Sequence, residues 1–211
     1  MPTSTARNAW LGLALLVALI AAGLVWWWPG STKEPDMLGV LRANNRGVGY
    51  MERFDYDSAI QAFEEVNQLA PKWLPGKINL GIALLNTQKS DNLARAIQLF
   101  NEILQQDGTN PHAHFCLGII FREQGKIDQA RPHFQAVTTT DPNDAHAWYY
   151  LGATSAEDED LARKCFEKAV QCDPYLRRAL YGLQVLIRSS DPTMRSPYLP
   201  PMNAHSACPY R

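Results

Sequence analysis

The stretch CLGIIFREQGKIDQARPHFQAVTTTDP, residues 116–142, contains the pattern that decides the fold. Ala130 is followed four residues later by Phe134, so the two side chains share one face of a helix. Gly118 lies twelve residues before Ala130, and Pro142 lies twelve residues after it. A small residue, an aromatic ring and a glycine at this spacing predict two short helices that pack closely on each other.

The same pattern occurs four times along the chain. The Ala, Phe and following apolar residues are Ala59/Phe63/Val66, Ala96/Phe100/Ile103, Ala130/Phe134/Val137 and Ala162/Phe166/Ala169. Each set is preceded by a glycine and followed by a proline, namely Gly47, Gly81, Gly118, Gly152 and Pro71, Pro111, Pro142, Pro174. The phenylalanines are 37, 34 and 32 residues apart, and a period in the thirties predicts a solenoid of paired helices.

A glycine inside a helix costs about 1 kcal/mol relative to alanine. Four at matching places therefore indicate a close helix contact that excludes a side chain.

These residues resemble the tetratricopeptide repeat (TPR), whose pattern is W-x2-L-G-x2-Y, then A-x3-F, then P. The first-helix part of this pattern is matched by Leu117-Gly118 and Phe121 in repeat three. In repeat four it is matched by Trp148-x-x-Leu151-Gly152. The resemblance covers about residues 38–188. It implies an all-α fold: a right-handed α-solenoid of about four TPR helix pairs plus a capping helix.

Two repeats depart from the regular spacing. Repeat two is longer, which predicts an extended inter-helix turn around Asn86–Asn92 and an added turn at Gly108–Asn110. Repeat four is two residues short near Glu157–Asp160, where the acidic residues favour the start of the next helix.

The chain is predicted to have five segments. They are an amino-terminal tail (1–8), a transmembrane helix (9–28), a linker (29–37), the TPR domain (38–188) and a Pro-rich disordered tail (189–211). Within the TPR domain the repeats are expected at about 40–73, 74–110, 111–144 and 145–176, with the capping helix reaching 188.

Residues 9–28 carry no charge, and as a helix they would rise about 30 Å, the thickness of a bilayer core. Trp10 and Trp26–Trp28 flank this segment as interfacial anchors. We therefore expect a single-pass membrane protein. The very short amino-terminal tail, with Glu34 and Asp36 after the segment, favours a TPR domain on the extracytoplasmic side.

Two alternatives stay open. Cleavage of the apolar segment as a signal peptide would leave an exported soluble TPR protein. The change of character from Ser189 onward also allows the chain to be the anchor and TPR fragment of a larger protein that has a further catalytic or binding domain.

Charge and motifs argue against several functions. The 20 Lys and Arg are balanced by 21 Asp and Glu, which disfavours a nucleic-acid partner. Phosphate-binding loops, nucleophile elbows and zinc motifs are absent from the sequence, so we expect no enzymatic activity, cofactor or small-molecule substrate.

His112 and His114 point about 200° apart on one helix, which argues against a shared metal. Cys116, Cys165 and Cys172 are expected to be small packing residues.

The TPR resemblance implies that the first helices line a concave groove for a protein partner, either an extended peptide or a helix. Such a protein would act as a scaffold or assembly factor. Asn45 and Asn79 resemble the groove asparagines of TPR co-chaperones, but Leu41 and His112 stand where a carboxylate clamp needs cations. The candidate groove residues are Asn44, Asn45, Val48, Ile78, Asn79, Ile82, Phe115, Ile119, Arg122, Tyr149 and Tyr150. The alternative is that several of them only pack adjacent repeats.

Overall fold

The structure, a computed structural model, describes residues 36–190, and most of these residues are helical. This range contains no β-strand. Its helices are α1 (Met37–Glu52), α2 (Tyr56–Leu69), α3 (Leu74–Asn86), α4 (Ser90–Gln106), α5 (Pro111–Glu123), α6 (Ile127–Thr140), α7 (Ala145–Ala153), α8 (Glu159–Cys172) and α9 (Arg177–Ser190). The all-α fold class is confirmed for these residues.

Acidic and amide side chains start most of the helices. The carboxylates of Asp36, Asp55, Asp144 and Asp158 and the amide of Asn110 each accept a hydrogen bond from the backbone N–H three residues on. Pro111 then occupies the first turn of α5, where its missing N–H costs nothing.

Three inter-helix turns share one conformation. The turns after α1, α3 and α5 have three residues, and the central residue, Phe54, Gln88 or Gly125, has a positive φ. A left-handed residue after a helix ends it by redirecting the chain, and only Gly125 adopts this conformation without steric cost. The second helix of each of these three pairs can thus fold back on the first.

The repeated glycines lie where phenylalanine rings reach the neighbouring helix. A Cβ on the glycine would lie 2.5 Å from Phe63 at Gly47, 2.6 Å from Phe100 at Gly81, 2.7 Å from Phe134 at Gly118 and 2.9 Å from Phe166 at Gly152. Real Cβ atoms essentially never come so close, so the predicted exclusion of a side chain is confirmed. Gly182 on α9 meets Phe166 in the same way, at 2.8 Å. The capping helix α9 therefore uses the contact that builds the repeats.

The extra residues of repeat two lie in a helix, not in a turn. The turn between α3 and α4 has three residues, as in repeat one, and α4 begins six residues before Ala96 instead of three. The turn after α4, Asp107–Asn110, has four residues like those after α2, α6 and α8. Both predicted turn insertions are therefore wrong. The first set of extra residues lengthens α4, and the second prediction failed because Pro111 starts a helix whereas Pro71 lies in the turn between α2 and α3.

Repeat four is shortened in its first helix. Helix α7 ends one residue after Gly152, whereas the other first helices continue for five residues after theirs. A five-residue turn up to Asp158 replaces part of the missing helix. Asp158 then caps α8, with Glu159 and Asp160 in its first turn, as the acidic residues predicted.

No helix within residues 36–190 is long and apolar enough to cross a membrane. The longest, Ser90–Gln106, has 17 residues and a charged face, whereas a spanning helix needs about 20 predominantly apolar residues. This finding contradicts the predicted localisation as a single-pass membrane protein with its TPR domain on the extracytoplasmic side. The predicted transmembrane helix, residues 9–28, lies outside the described residues.

Replacing Gly118 with alanine tests the glycine–phenylalanine contact. The new Cβ would overlap the ring of Phe134, so we expect Gly118→Ala to lower the free energy of unfolding by about 1–3 kcal/mol. Urea denaturation followed by circular dichroism measures this loss. Gly49 is the matched control, because it lies in α1 with no atom within 4 Å of the added Cβ. Gly49→Ala should stabilise by about 0.5–1 kcal/mol, and equal effects of the two changes would contradict the assignment.

Candidate partner-binding face

The first helices of the successive pairs, α1, α3, α5, α7 and α9, carry the predicted groove residues. We call their shared surface the first-helix face. Helix α3 contacts α5 and α7 contacts α9, in addition to the contacts within each pair. Side chains from different repeats are therefore brought together across this face.

The structure divides the eleven candidate residues into two groups. Asn44, Asn45, Val48, Ile78, Asn79, Ile82, Arg122 and Tyr149 are exposed or half-buried. Phe115, Ile119 and Tyr150 are at most 4% exposed and belong to one hydrophobic cluster with Phe134 and Leu151. The three buried side chains hold repeats three and four together, so they lie beneath the surface that a partner could contact.

A regular seam joins neighbouring first helices. The residue three before the helix glycine in one repeat contacts the residue two before the glycine in the next. Asn44 and Asn79 form one such pair, with Asn79 Nδ2 donating to Asn44 Oδ1 at 2.8 Å. Phe115 and Tyr150 form another, with ring centroids 5.6 Å apart in a T-shaped arrangement. The seam is thus polar between repeats one and two and aromatic between repeats three and four.

The asparagine pair has polar atoms that its own hydrogen bond does not use. A primary amide has two donor hydrogens and an acceptor oxygen. The bond uses one hydrogen of Asn79 and the oxygen of Asn44, which leaves the Asn44 NH2 group and the Asn79 Oδ1 atom. A donor and an acceptor side by side match the C=O and N–H groups of an extended peptide backbone.

Tyr150 is held by groups from several helices. Its ring stacks on Phe134 from α6 at 5.1 Å, and the Arg122 guanidinium of α5 lies 5.3 Å from the ring centroid. Arg178 of α9 donates from Nη1 to the Tyr150 hydroxyl at 3.2 Å. Sequence reasoning missed Arg178 because it lies on the helix after the last complete repeat.

A histidine pair links α5 to α6. His114 Nδ1 lies 2.9 Å from His133 Nδ1, and His114 Nε2 lies 3.1 Å from the carbonyl oxygen of Gly108. The carbonyl can only accept, so Nε2 of His114 carries the proton and His133 Nδ1 donates to the neutral His114 ring. Phe121 stacks on His133 with centroids 5.6 Å apart. The repeat pattern did not predict this pair, because His133 lies on the second helix.

Burial or hydrogen bonding shifts the pKa values of three groups near the first-helix face. Burial lowers the pKa of His133 to about 4, and a positive charge on His114, whenever that ring is protonated, acts in the same direction. Burial raises the pKa of the Cys165 thiol to about 11, so this thiol stays protonated. The Asn110 amide, which donates to Asp107, holds the pKa of that carboxyl below its ordinary value.

Metal binding finds no support within the described residues. No group of three or more His, Cys, Asp or Glu side chains there could hold a metal ion. Cys116 and Cys165 are buried and Cys172 is half-buried, and none of these three forms a disulfide. The three cysteines are packing residues of the helix pairs.

Comparison with known proteins supports the TPR resemblance. Residues 89–154 match the family model described as tetratricopeptide repeat. The peroxisomal targeting signal receptor of Candida glabrata is 28% identical over 133 residues, which is 60% of this chain and 22% of the receptor. The chain thus spans less than a quarter of that curated relative.

Solved structures show the same fold. MamA from Desulfovibrio magneticus RS-1 superposes with a TM-score of 0.63 and 22% identity, covering 74% of this chain and 89% of MamA. YrrB, described as a TPR protein with an unusual peptide-binding site, superposes with a TM-score of 0.55 and 24% identity, covering 69% of this chain and 75% of YrrB. At these identities the likeness concerns the fold alone, so residues 36–190 form a TPR-like α-solenoid.

Acidic pH should destabilise the solenoid through His133. The unfolded chain takes up a proton near pH 6.5, whereas the folded chain resists it down to about pH 4. Stability is therefore full above about pH 7 and falls as the pH drops through this window. Because the ring stays partly accessible, we expect a loss of about 1 kcal/mol between pH 7.5 and 5. Urea unfolding at both pH values measures this loss.

A pair of variants assigns that loss to His133. His133→Gln should reduce the pH dependence, because it removes the group that titrates differently in the two states. Gln135→Ala is the control, since Gln135 is exposed on the same helix α6 and its side chain does not titrate, so the pH dependence should remain that of the parent chain. An unchanged pH dependence in His133→Gln would refute the role of this imidazole.

Proposed function

We propose that this protein is an interaction module, which docks a segment of a protein partner on its first-helix face and serves as a scaffold or assembly factor. The observation that carries the proposal is the Asn44–Asn79 pair. In these half-buried amides, the hydrogen bond between the two side chains does not use the Asn44 NH2 group, a donor, or the Asn79 Oδ1 atom, an acceptor. They would hold the backbone of a partner segment at the boundary between repeats one and two.

Apolar side chains flank the asparagine pair. Val48 lies four residues after Asn44 on α1, and Ile78 and Ile82, four residues apart, form a short apolar stripe on α3. Val48 is 39% exposed, and both isoleucines are half-buried. A partner that covered these side chains would remove apolar surface from water and gain affinity beyond the amide hydrogen bonds.

The comparisons agree with this mode of action. The receptor relative is named for a targeting signal, and YrrB is described as having a peptide-binding site. TPR-like solenoids typically act as binding scaffolds and not as enzymes. Interaction with a peptide or helix is therefore the function that the fold and the half-buried amides of Asn44 and Asn79 support best.

Removing both amides tests the proposal. Asn44→Ala with Asn79→Ala deletes the donor and the acceptor together, so no buried group is left unpaired and the fold should keep most of its stability. We expect affinity capture from an extract of the source organism to lose the partners held by the parent chain. Quantitative mass spectrometry of the captured proteins measures the loss.

The matched control removes two amides from the second helices. Gln61 on α2 and Asn101 on α4 are exposed, and Gln61→Ala with Asn101→Ala should capture the same partners as the parent chain. A bound partner should also slow hydrogen exchange in α1 and α3 more than in α2 and α4. Unchanged capture by a stably folded Asn44/Asn79 variant would rule out this docking face.

A further inference from the structure

We propose that α9 binds an α-helix of a partner protein, and that this helix covers α9 as the following helix covers α5. The surface involved is the side of α9 formed by Leu180, Tyr181 and Val185, which we call the α9 outer face. It lies on the last helix of the array, whereas the docking site proposed above is formed by Asn44 and Asn79 on α1 and α3. The two proposals therefore concern different surfaces and can fail separately.

Helix α9 has the register of a first helix. Like α5 and α7, it follows a four-residue turn and buries its third residue completely. These third residues are Ala113, Ala147 and Ala179. Positions on α9 can therefore be compared with positions on α5 by counting from the start of each helix.

Three positions of α5 pack against the helix that follows it. His114 Nδ1 lies 2.9 Å from His133 Nδ1 on α6, and the Phe115 ring meets the Phe134 ring of α6 edge to face at 5.8 Å. Ile119 belongs to the same buried cluster as Phe134. Side chains at the fourth, fifth and ninth positions of this first helix are thus covered by a second helix.

On α9 the same three positions carry apolar side chains that reach solvent. Leu180 is 43% exposed, Val185 is 42% exposed and Tyr181 is half-buried. Residues 36–190 contain no helix after α9. The last helix of a solenoid ordinarily presents a polar outer face to water. Exposed aliphatic side chains at packing positions therefore indicate a surface that another helix covers.

A positive charge at one end of α9 defines the chemistry of the partner. The helix has arginines but no Asp or Glu, and Arg188 lies in its last turn. Arg188 is seven residues after Tyr181, which places both side chains on one side of the helix. Arg188 forms no ion pair with another described residue. A helix that runs antiparallel to α9, as a second helix runs to its first, would begin beside Arg188.

The second helices of this chain carry an acidic residue where such a helix would begin. Helices α2, α4, α6 and α8 each have at least one in the first turn, namely Asp57, Asp91, Asp128, Glu159 and Asp160. The helix dipole also favours an acid at this end. An Asp or Glu in the first turn of the partner helix would therefore pair with Arg188.

A second copy of this chain does not supply a suitable helix. Gly118 and Gly152 are the eighth residues of α5 and α7 and leave room for a phenylalanine ring, whereas the eighth residue of α9 is Gln184. A helix with the Ala-x-x-x-Phe pattern would place its ring against the Gln184 side chain. Antiparallel pairing of two α9 helices would bring Arg188 of one copy towards Arg177 of the other. The partner helix therefore comes from another protein.

Selection from a library of helical peptides tests the inference without a known partner. The displayed peptides would have 16 residues, the length of α1, with apolar residues at helical spacing and random residues elsewhere. They would be selected against the full chain, against Leu180→Gln with Val185→Gln, and against Leu161→Gln. The last is the matched control, because Leu161 is 40% exposed on α8. Circular dichroism spectra and unfolding midpoints establish that the proteins are equally folded.

Loss of binding should follow the α9 outer face alone. The parent chain and Leu161→Gln should select the same amphipathic helices. A selected peptide should bind the Leu180→Gln, Val185→Gln double variant at least about tenfold more weakly, because two apolar contacts are lost. The Asn44→Ala, Asn79→Ala variant should bind this peptide as the parent chain does, because its changes lie on α1 and α3.

Charge reversal tests the acidic partner. Peptides selected by the parent chain should be enriched in Asp and Glu in their first turn, whereas Arg188→Glu should select Lys and Arg there. Lys164→Glu is the control, since Lys164 is exposed on α8 and its reversal should keep the acidic preference. Replacing the selected acid by its amide should weaken binding to the parent chain about fivefold, as for a partly exposed charge pair.

Several outcomes would overturn the inference. Equal binding by the parent chain and the Leu180/Val185 variant would place the peptide elsewhere, and loss of binding in the Asn44/Asn79 variant would place it on the first-helix face. An acidic preference that is absent, or that persists in Arg188→Glu, would contradict the acidic partner. A dimer in analytical ultracentrifugation that the Leu180/Val185 variant abolishes would assign the α9 outer face to a second copy. Selection of no helical peptide would also contradict the inference, and the capture experiment would then judge the docking function on its own.

Discussion

The contact between a phenylalanine ring and a helix glycine holds this structure together. Each second helix places its ring where the neighbouring first helix has no side chain, and α9 closes the array by the same contact with Phe166. The glycine costs helix stability, which burial of the ring offsets. The separation of the two helices in each pair therefore depends on this contact.

The sequence predicted the repeating unit because its contacts are local and periodic. Gly118 and Phe134 lie in one repeat, and the repeated spacing predicted a close helix contact at the glycine, although not the ring that fills it. The positions of the length differences were not predictable in this way, since a helix such as α4 can absorb extra residues without losing its hydrophobic period. Pro111 was misleading for a related reason: a proline fits the first turn of a helix as well as the turn before it.

Contacts between repeats were harder to predict than contacts within them. A position on the first helix can face a partner or the next repeat, and the residue type does not distinguish the two. Asn79 and Tyr150 occupy equivalent positions, yet one forms a hydrogen bond near the surface and the other lies in an aromatic core. His133 and Arg178 were missed because each acts across a helix boundary that the repeat pattern does not encode. The seam therefore differs between the two halves of the solenoid: it contains half-buried amides in the first half and a buried phenol ring in the second.

The most direct test of the central contact is a double-mutant cycle between Gly118→Ala and Phe134→Leu, with free energies of unfolding from urea denaturation. If the ring and the glycine truly share one space, the smaller leucine should relieve the overlap with the new Cβ. The cost of Gly118→Ala should then fall by at least about 1 kcal/mol in the Phe134→Leu background. Additive effects, within about 0.3 kcal/mol, would contradict the claim that this contact sets the helix separation.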